Sequence, residues 1–438
     1  MKISTFFNTD YVDSASYDNL RKIASLVDGQ KNAARKILYT ILEKNIKDKV
    51  KVSQLGSKIS EFSEYLHGNL DGVIVNLSQD YTGTNNIPLL QKNGNFGTRF
   101  TPDSSAARYI YAYGKPEFFE LFNKSDTPIL RHQYFEGNQI EPMFYVPALP
   151  ILLINGSEGV SSGFAQKILP RNPAEIKRYI KNKLQGKVSR AKLIPHYNGF
   201  KGVIEQGETP QQWNIKGVVN KTGINKVEIT EIPIGYDLKG YIKVLDTLED
   251  KKIIQGYSDQ SEDDIFKFIV QIPSKQLNEW DNDTLLNKLK LVKRVSENYT
   301  VMNEDNKIQI FINVTEILDK YISIKLEYVE KRKKNSIQVI TEEIEYDISK
   351  YLFIKLIQDD KLIINKRKKS DIVKDLDTHE DICKKDNSYD YLLQMNIMSL
   401  TKERMEKLSA DIKTKKENLD QLINSSIETL WMTEIDAL

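Results

Sequence analysis

The chain is poor in the residues that build metal and redox centres. It holds one cysteine, Cys383, in 438 residues, so neither a disulfide nor a thiolate cluster can form within it. Its four histidines, His67, His132, His196 and His379, are scattered too widely for metal-ligand spacing, which argues against a zinc or di-iron centre. Neither GxGxxG nor GxxxxGK followed by Ser or Thr occurs, which removes the Rossmann turn and the P-loop as routes to a nucleotide. No apolar run approaches the ~18 residues of a membrane span. The opening MKISTFFNTD lacks the apolar core of a secretory signal, and a cytoplasmic protein is expected. A charge excess of one sign is missing as well: 63 basic residues stand against 61 acidic ones, and a net charge of +2 does not by itself point to nucleic acid.

Local charge is more informative. Lys167, Arg171, Lys177, Arg178, Lys181, Lys183, Lys187, Arg190, Lys192 and Lys201 face a single acid, Glu175, within one stretch. Such a stripe either neutralises phosphates, with release of counterions, or is a solvated helix face. The pairs Asp375/Asp377 and Asp281/Asp283 have the DxD spacing of a Mg²⁺ site but are far more often surface turns.

At this length the chain divides into two to four domains. Residues 17–45 read as helix, 88–97 as loop, and 106–122 as a mixed helical pattern. Glu141–Gly163, EPMFYVPALPILLINGSEGVSSG, reads as a buried strand followed by a tight turn. Between Pro173 and Pro273 the segments GVIEQ, KVEITEIP and DDIFKFIVQIP alternate with period two, as short strands between helices do. Proline is absent after Pro273, and long helices are expected there. Ile317, Tyr321, Ile324 and Tyr328 lead one apolar seam; Leu408, Ile412, Leu419 and Leu422 form another, with Lys415 in the seam. An antiparallel coiled-coil arm with a small tip at Lys366–Asp390, or an ordinary helical bundle, satisfies that pattern.

The segment richest in chemistry is GNFGTRFTPDSSAARYIYAY, Gly94–Tyr113. Gly94 and Gly97 permit tight backbone turns, and Arg99 and Arg108 bring cations close to Tyr109. A phenol with its ordinary pKa of ~10 becomes a useful nucleophile when a neighbouring cation stabilises its phenolate and the oxyanion it attacks. Residue chemistry permits that role among 22 tyrosines without selecting one.

Taken in order, these segments resemble the breakage-reunion region of type IIA DNA topoisomerases. The likeness runs to the C-terminal half of the cleavage core of the eukaryotic enzymes and to the medium subunit of T-even-like phage topoisomerases. SLVDGQKNAARKILYT (Ser25–Thr40) resembles the family's DGxKPxxRK helix, and YLHG (Tyr65–Gly68) its histidine loop. GNFGTR and ARYIY resemble the loop of the active tyrosine. EPMFYVPALPILLINGSEGVSSG and YLLQMNIMSLTKERMEKL (Tyr391–Leu408) resemble the following segment and the exit gate. The resemblance makes Tyr109 the nucleophile forming a 5′-phosphotyrosyl link, Arg108 and Arg35 cations at the scissile phosphate, and His67 a hydrogen-bonding partner there. Lys31, Lys36, Asn95, Arg99 and Lys167 become candidate DNA contacts, and Val160 aligns with the family's intercalating isoleucine. Asn32 replaces the usual proline and Leu66 a first histidine.

The implied architecture is mixed α/β and multidomain: a winged-helix cleavage domain (1–165), an α/β tower domain (166–315), and an antiparallel coiled coil with a helical dimer gate (316–438). The implied activity is an ATP-dependent type II topoisomerase acting as a homodimer on double-stranded DNA. No EGDSA-like glutamate or ATPase motif is found, so Mg²⁺ and ATP are expected on a separate partner subunit. A DNA-binding or coiled-coil scaffold that has lost cleavage is the alternative, and intact Arg108, Tyr109, Arg35 and His67 oppose it.

Overall fold

The computed structural model describes residues 3–189 and 191–438. The fold is mixed α/β, with its sheets antiparallel. Two compact units form: residues up to Lys325 joined by Met432–Leu438, and Leu326–Trp431.

In the first unit, the helix expected over residues 17–45 is two helices, Asp10–Lys22 and Asn32–Glu43. Side-chain turns interrupt it. The amide of Val27 donates to Ser25 Oγ at 3.1 Å and that of Gln30 to Asp28 Oδ1 at 2.9 Å, offering the backbone partners that a helix would otherwise supply. Gly29 sits at φ +68°, and a Cβ there would lie 2.4 Å from the Leu152 amide nitrogen.

Helices Asn32–Glu43, Val52–Phe62 and Asp71–Ser78 pack around a small sheet ordered Val50–Lys51, Tyr111–Gly114, Leu90–Asn93. The loop reading of 88–97 and the helical reading of 106–122 therefore each missed a strand. Four residues are too few for a period of two to stand out. The apolar run Ile151–Asn155 is a helix, not the expected strand, with Ile151 to Ile154 all buried. A short all-apolar run buries equally well in either form, and periodicity cannot choose between them. The turn that follows is a hairpin, Ser157–Ser161 against Phe164–Ile168.

The period-two segments further on are strands. Lys226–Glu231 and Phe268–Gln271 pair at the centre of a four-stranded sheet, flanked by Val218–Lys221 and Gly256–Asp259. Val227, Ile229, Phe268 and Val270 alternate inward and pack with Tyr241 and Leu245 of helix Leu238–Asp250. A second sheet orders Val292–Ser296, Gln212–Lys216 and Val203–Gln206.

The second unit contains most of the 45-residue helix Val314–Gln358 and the helix Lys402–Asn424. Their contacts descend along one helix as they ascend the other, so the pair is antiparallel. Lys333 Nζ donates to the carbonyls of Ile423 (2.8 Å) and Ser425 (2.7 Å). Lys415 pairs with Glu343 (2.8 Å) and Asp347 (2.9 Å), and Gln358 reaches the Leu400 carbonyl at 3.0 Å. Those two carboxylates explain the lysine in the apolar seam. Phe353 of the long helix packs with Leu362, Ile372, Leu376, Ile382, Tyr389 and Leu392 of the intervening segment in a separate small core.

Candidate active site

Tyr109 ends the loop that joins strands Leu90–Asn93 and Tyr111–Gly114. The loop is held by its own backbone. At Gly97 (φ +88°) a Cβ would lie 2.3 Å from the Pro102 carbonyl. Asn95 accepts the Gly97 amide through Oδ1 (2.9 Å) and the Ser105 amide through its carbonyl (3.0 Å), so this candidate DNA contact shapes the turn. Ile110 is buried, and its carbonyl accepts the Val52 amide at 2.9 Å. Tyr109 itself closes a turn, its amide donating to the Ala106 carbonyl at 2.9 Å. The turn, held between Ala106 and the buried Ile110, leaves the Tyr109 side chain 66% exposed. The Arg108 guanidinium lies 4.9 Å from the centre of the Tyr109 ring, within cation–π range. The fold presents a phenol to the outside with a cation against it.

Three other motif cations face inward. Arg35 holds Asp28 with Nε (2.7 Å) and Nη2 (3.1 Å) and also reaches the Gln30 carbonyl; Asp28 in turn accepts the Tyr145 amide. Burial alone would lower the Arg35 guanidinium pKa, but Asp28 leaves it raised overall. Lys36 pairs with Glu141 at 2.8 Å and donates to the Ser63 carbonyl, at the foot of the histidine loop. Arg99 pairs with Glu231 at 2.6 Å, donates to the Ile232 carbonyl at 2.7 Å, and lies 4.8 Å from the Phe266 ring centre. All three are largely buried and tie segments together, although Lys36 also lines the cavity beside His67 and Arg99 another cavity.

His67 is exposed. Its Nε2 is hydrogen-bonded to the Tyr17 hydroxyl, and Tyr65 meets the ring edge-on at 6.1 Å. These groups line a cavity of about 340 Å³ with Arg21, Lys22 and Asn32. Tyr17 and Arg21 do not stand out in the sequence. The available signal is their i,i+4 spacing on one helix, which brings the guanidinium 5.7 Å from the ring centre.

Val160, 71% exposed, projects from the hairpin strand Ser157–Ser161, and the hairpin is clamped to helix Asp10–Lys22. Asp18 accepts the Ser162 amide (2.9 Å) and hydroxyl (3.0 Å), and Ser161 Oγ donates to Asn19 Oδ1 at 2.6 Å. Bonds from Lys22 and Ser162 hold the Asp18 carboxyl below its ordinary pKa. Gly159 presses so closely on this helix that a Cβ would lie 2.0 Å from the Lys22 carbonyl oxygen. Gly159→Ala is therefore expected to loosen the hairpin by about 1–3 kcal/mol, the usual range for overpacking. Hydrogen exchange at the Ser162 amide measures this, and unchanged protection would refute it. At the base of the hairpin, Lys31 Nζ donates to the Glu158 carbonyl at 2.6 Å and Lys167 pairs with its carboxylate at 3.1 Å.

The basic stripe is broken up by ion pairs: Lys167 with Glu158, Arg171 with Glu297, Lys181 with Asp436, and Lys183 with Asp319. Arg190 lies outside the described residues. The DxD pairs are tied up individually. Asp281 caps helix Asn282–Lys288 and Asp283 meets Lys216, while Asp375 pairs with Arg367 and Asp377 with Lys384. Among the described residues, no group of three or more His, Cys, Asp or Glu is placed to hold a metal ion, and no helix is long and apolar enough to cross a membrane.

The sequence and the fold have counterparts in known proteins. A family model that describes the A subunit of DNA gyrase/topoisomerase IV matches residues 21–436. The mitochondrial DNA topoisomerase 2 of Dictyostelium discoideum is 32% identical over 99% of this chain and 34% of its own length. DNA topoisomerase 2 of Saccharomyces cerevisiae is 31% identical over 99% of the chain and 34% of its own. The chain thus spans about a third of these relatives. The crystal structure of the Plasmodium falciparum topoisomerase II DNA-binding, cleavage and re-ligation domain superposes with a TM-score of 0.90 at 32% identity, covering 98% of this chain and 63% of that one. The resemblance drawn from the motifs is borne out: the chain belongs to the family of DNA gyrase and topoisomerase IV A subunits.

Proposed function

We propose that this chain is the DNA-cleaving part of an ATP-dependent type II DNA topoisomerase and that Tyr109 is its nucleophile. The observation that carries the reading is the exposed Tyr109 phenol with the Arg108 guanidinium against its ring, on a fold shared with a DNA-cleaving and re-ligating domain. In the forward step Tyr109 Oη bonds to a backbone phosphorus and the bond from that phosphorus to the sugar O3′ breaks. The phenol loses its proton, and the departing oxygen gains one to become a 3′-hydroxyl. The 5′-phosphate stays on the tyrosine. Attack by the 3′-hydroxyl reverses each change and reseals the strand. A phosphodiester is exchanged for a phosphotyrosyl ester, so the bond energy is retained for resealing.

Arg108 offsets charge that grows on the phenol oxygen and the phosphate oxygens. His67, with its cluster of Tyr17, Arg21 and Lys22, is assigned a flanking phosphate, and Lys31, Val160 and Lys167 a further part of the duplex. Arg35, Lys36, Asn95 and Arg99 act indirectly, by holding the loops in place. Two chains, joined through residues 316–438, cut opposite strands so that a second duplex passes. The reading assigns Mg²⁺ and ATP to a separate subunit that works with this chain on DNA in the cytoplasm; the motif resemblance supports it.

The test combines the chain with that Mg²⁺-binding partner, ATP and supercoiled plasmid, then stops the reaction with detergent and protease. Linear plasmid with peptide on its 5′ ends is expected. Plasmid that stays supercoiled throughout would favour the non-cleaving scaffold.

A further inference from the structure

The hairpin assigned to DNA carries an acidic group that DNA binding does not call for. Glu158 and Lys167 are cross-strand partners in the register of the hairpin, and their side chains meet at 3.1 Å. Glu158 and Val160 alternate to the same exposed face, two residues apart. Lys31 reaches the same residue from a separate segment, its ammonium 2.6 Å from the Glu158 carbonyl oxygen. Lys293 lies near enough to sense both partners: burial and then Lys167 lower its pKa, while Glu158 raises it. The Glu158 carboxylate thus meets Lys167 directly beside the Val160 wedge, while Lys31 holds the backbone carbonyl of the same residue.

Stability does not account for it. The Glu158 side chain is 66% exposed and that of Lys167 35% exposed, and exposed pairs of this kind contribute little to folding. The hairpin is secured elsewhere, by Asp18, Asn19 and the buried Gln166, whose side chain bonds Ala24 and the Thr300 carbonyl.

We infer that Glu158 is a counter-anion built into the DNA-facing surface: it occupies Lys167 and screens Lys31 and Lys293, and so holds duplex binding at the wedge below what the lysines alone would give. The inference rests on the proposed reading of this hairpin as a DNA contact. A phosphate arriving at Lys167 has to displace the carboxylate, so each binding event exchanges one anion for another and releases fewer counterions than an unpaired lysine would. A weaker hold has a use where a duplex must be bent, cut and then let go.

The test measures binding of the full chain to a short fluorescein-labelled duplex across a salt series. Glu158→Gln is expected to tighten binding about 3–10-fold near 0.1 M salt and to steepen the logarithmic salt slope by ~0.9 for one further phosphate neutralised. Glu158→Asp, which keeps the charge, is expected to stay close to wild type, which separates charge from shape. Lys167→Gln is expected to cost more affinity in the Glu158→Gln background than in wild type. A wild type that binds duplex while Glu158→Gln binds no tighter, with an unchanged slope, overturns this inference alone. A wild type with no salt-dependent duplex binding overturns it together with the proposed function.

Discussion

Tyr109→Phe is expected to abolish covalent capture of DNA in the reconstituted assay while leaving duplex binding intact. The substitution removes one oxygen and nothing that packs. The side chain is two-thirds exposed, its ring still meets the Arg108 guanidinium, and exposed changes of this kind normally alter stability by less than about 0.5 kcal/mol. Loss of the protein-linked 5′ end with unchanged binding therefore reads directly on the nucleophile. Covalent complex from the phenylalanine variant would mean that another of the 22 tyrosines attacks. Arg108→Ala is expected to keep some cleavage but slow it by ~10²-fold, in the range found when one group that stabilises a developing anion is removed. A rate indistinguishable from wild type would leave Arg108 a packing partner of the ring.

The second large effect concerns the buried carboxylate of Glu297. It accepts from Arg171 Nη2 (2.7 Å), Trp213 Nε1 (2.8 Å), the Tyr299 hydroxyl (2.9 Å) and the Leu169 amide (2.8 Å). These donors tie the exit of the Val160 hairpin to the sheet containing Trp213. Arg171 is 1% exposed, so removing its partner leaves a cation with neither water nor a counter-charge. Glu297→Ala is expected to lower stability by about 3–5 kcal/mol, as is usual when one member of a buried ion pair is lost. Removing both charges with Arg171→Leu and Glu297→Leu is expected to cost less than the single change, because the stranded charge is gone. The urea midpoint of the first unit's transition measures both. A midpoint equal to wild type for Glu297→Ala would show that water reaches Arg171 and that the pair is not sealed.

The residues around Tyr109 show what kind of information a sequence carries. Order and identity of motifs were enough to recognise the family, because GNFGTR, ARYIY and NGSEGVSSG are contiguous and keep their spacing in any conformation. The period-two strands around Val227 and Phe268 were legible for a similar reason: each buries one face, and the pattern is written within the segment. Legibility failed where the deciding partner is remote or the segment short. Ile151–Asn155 was ambiguous because an all-apolar run has no polar face to report its period. Two helices stood in place of one because Ser25 and Asp28 bond the nearby backbone.

The same limit governs the site. By itself, the sequence determined which functional groups exist: a tyrosine beside an arginine, a histidine loop, cations on a DGQK segment, and a valine in a glycine-rich turn. Only the tertiary structure decided which of them meet solvent. Arg35, Lys36 and Arg99 turn inward because Asp28, Glu141 and Glu231 wait there, and two of those carboxylates are more than a hundred residues distant in the chain. Tyr109 is left outward in the turn that precedes the buried Ile110, and Val160 on the outer face of a hairpin whose Gly159 is pressed against the Lys22 carbonyl. A charged side chain leaves water only when an opposite charge is already in place to receive it, and that condition is set by how the chain folds back on itself.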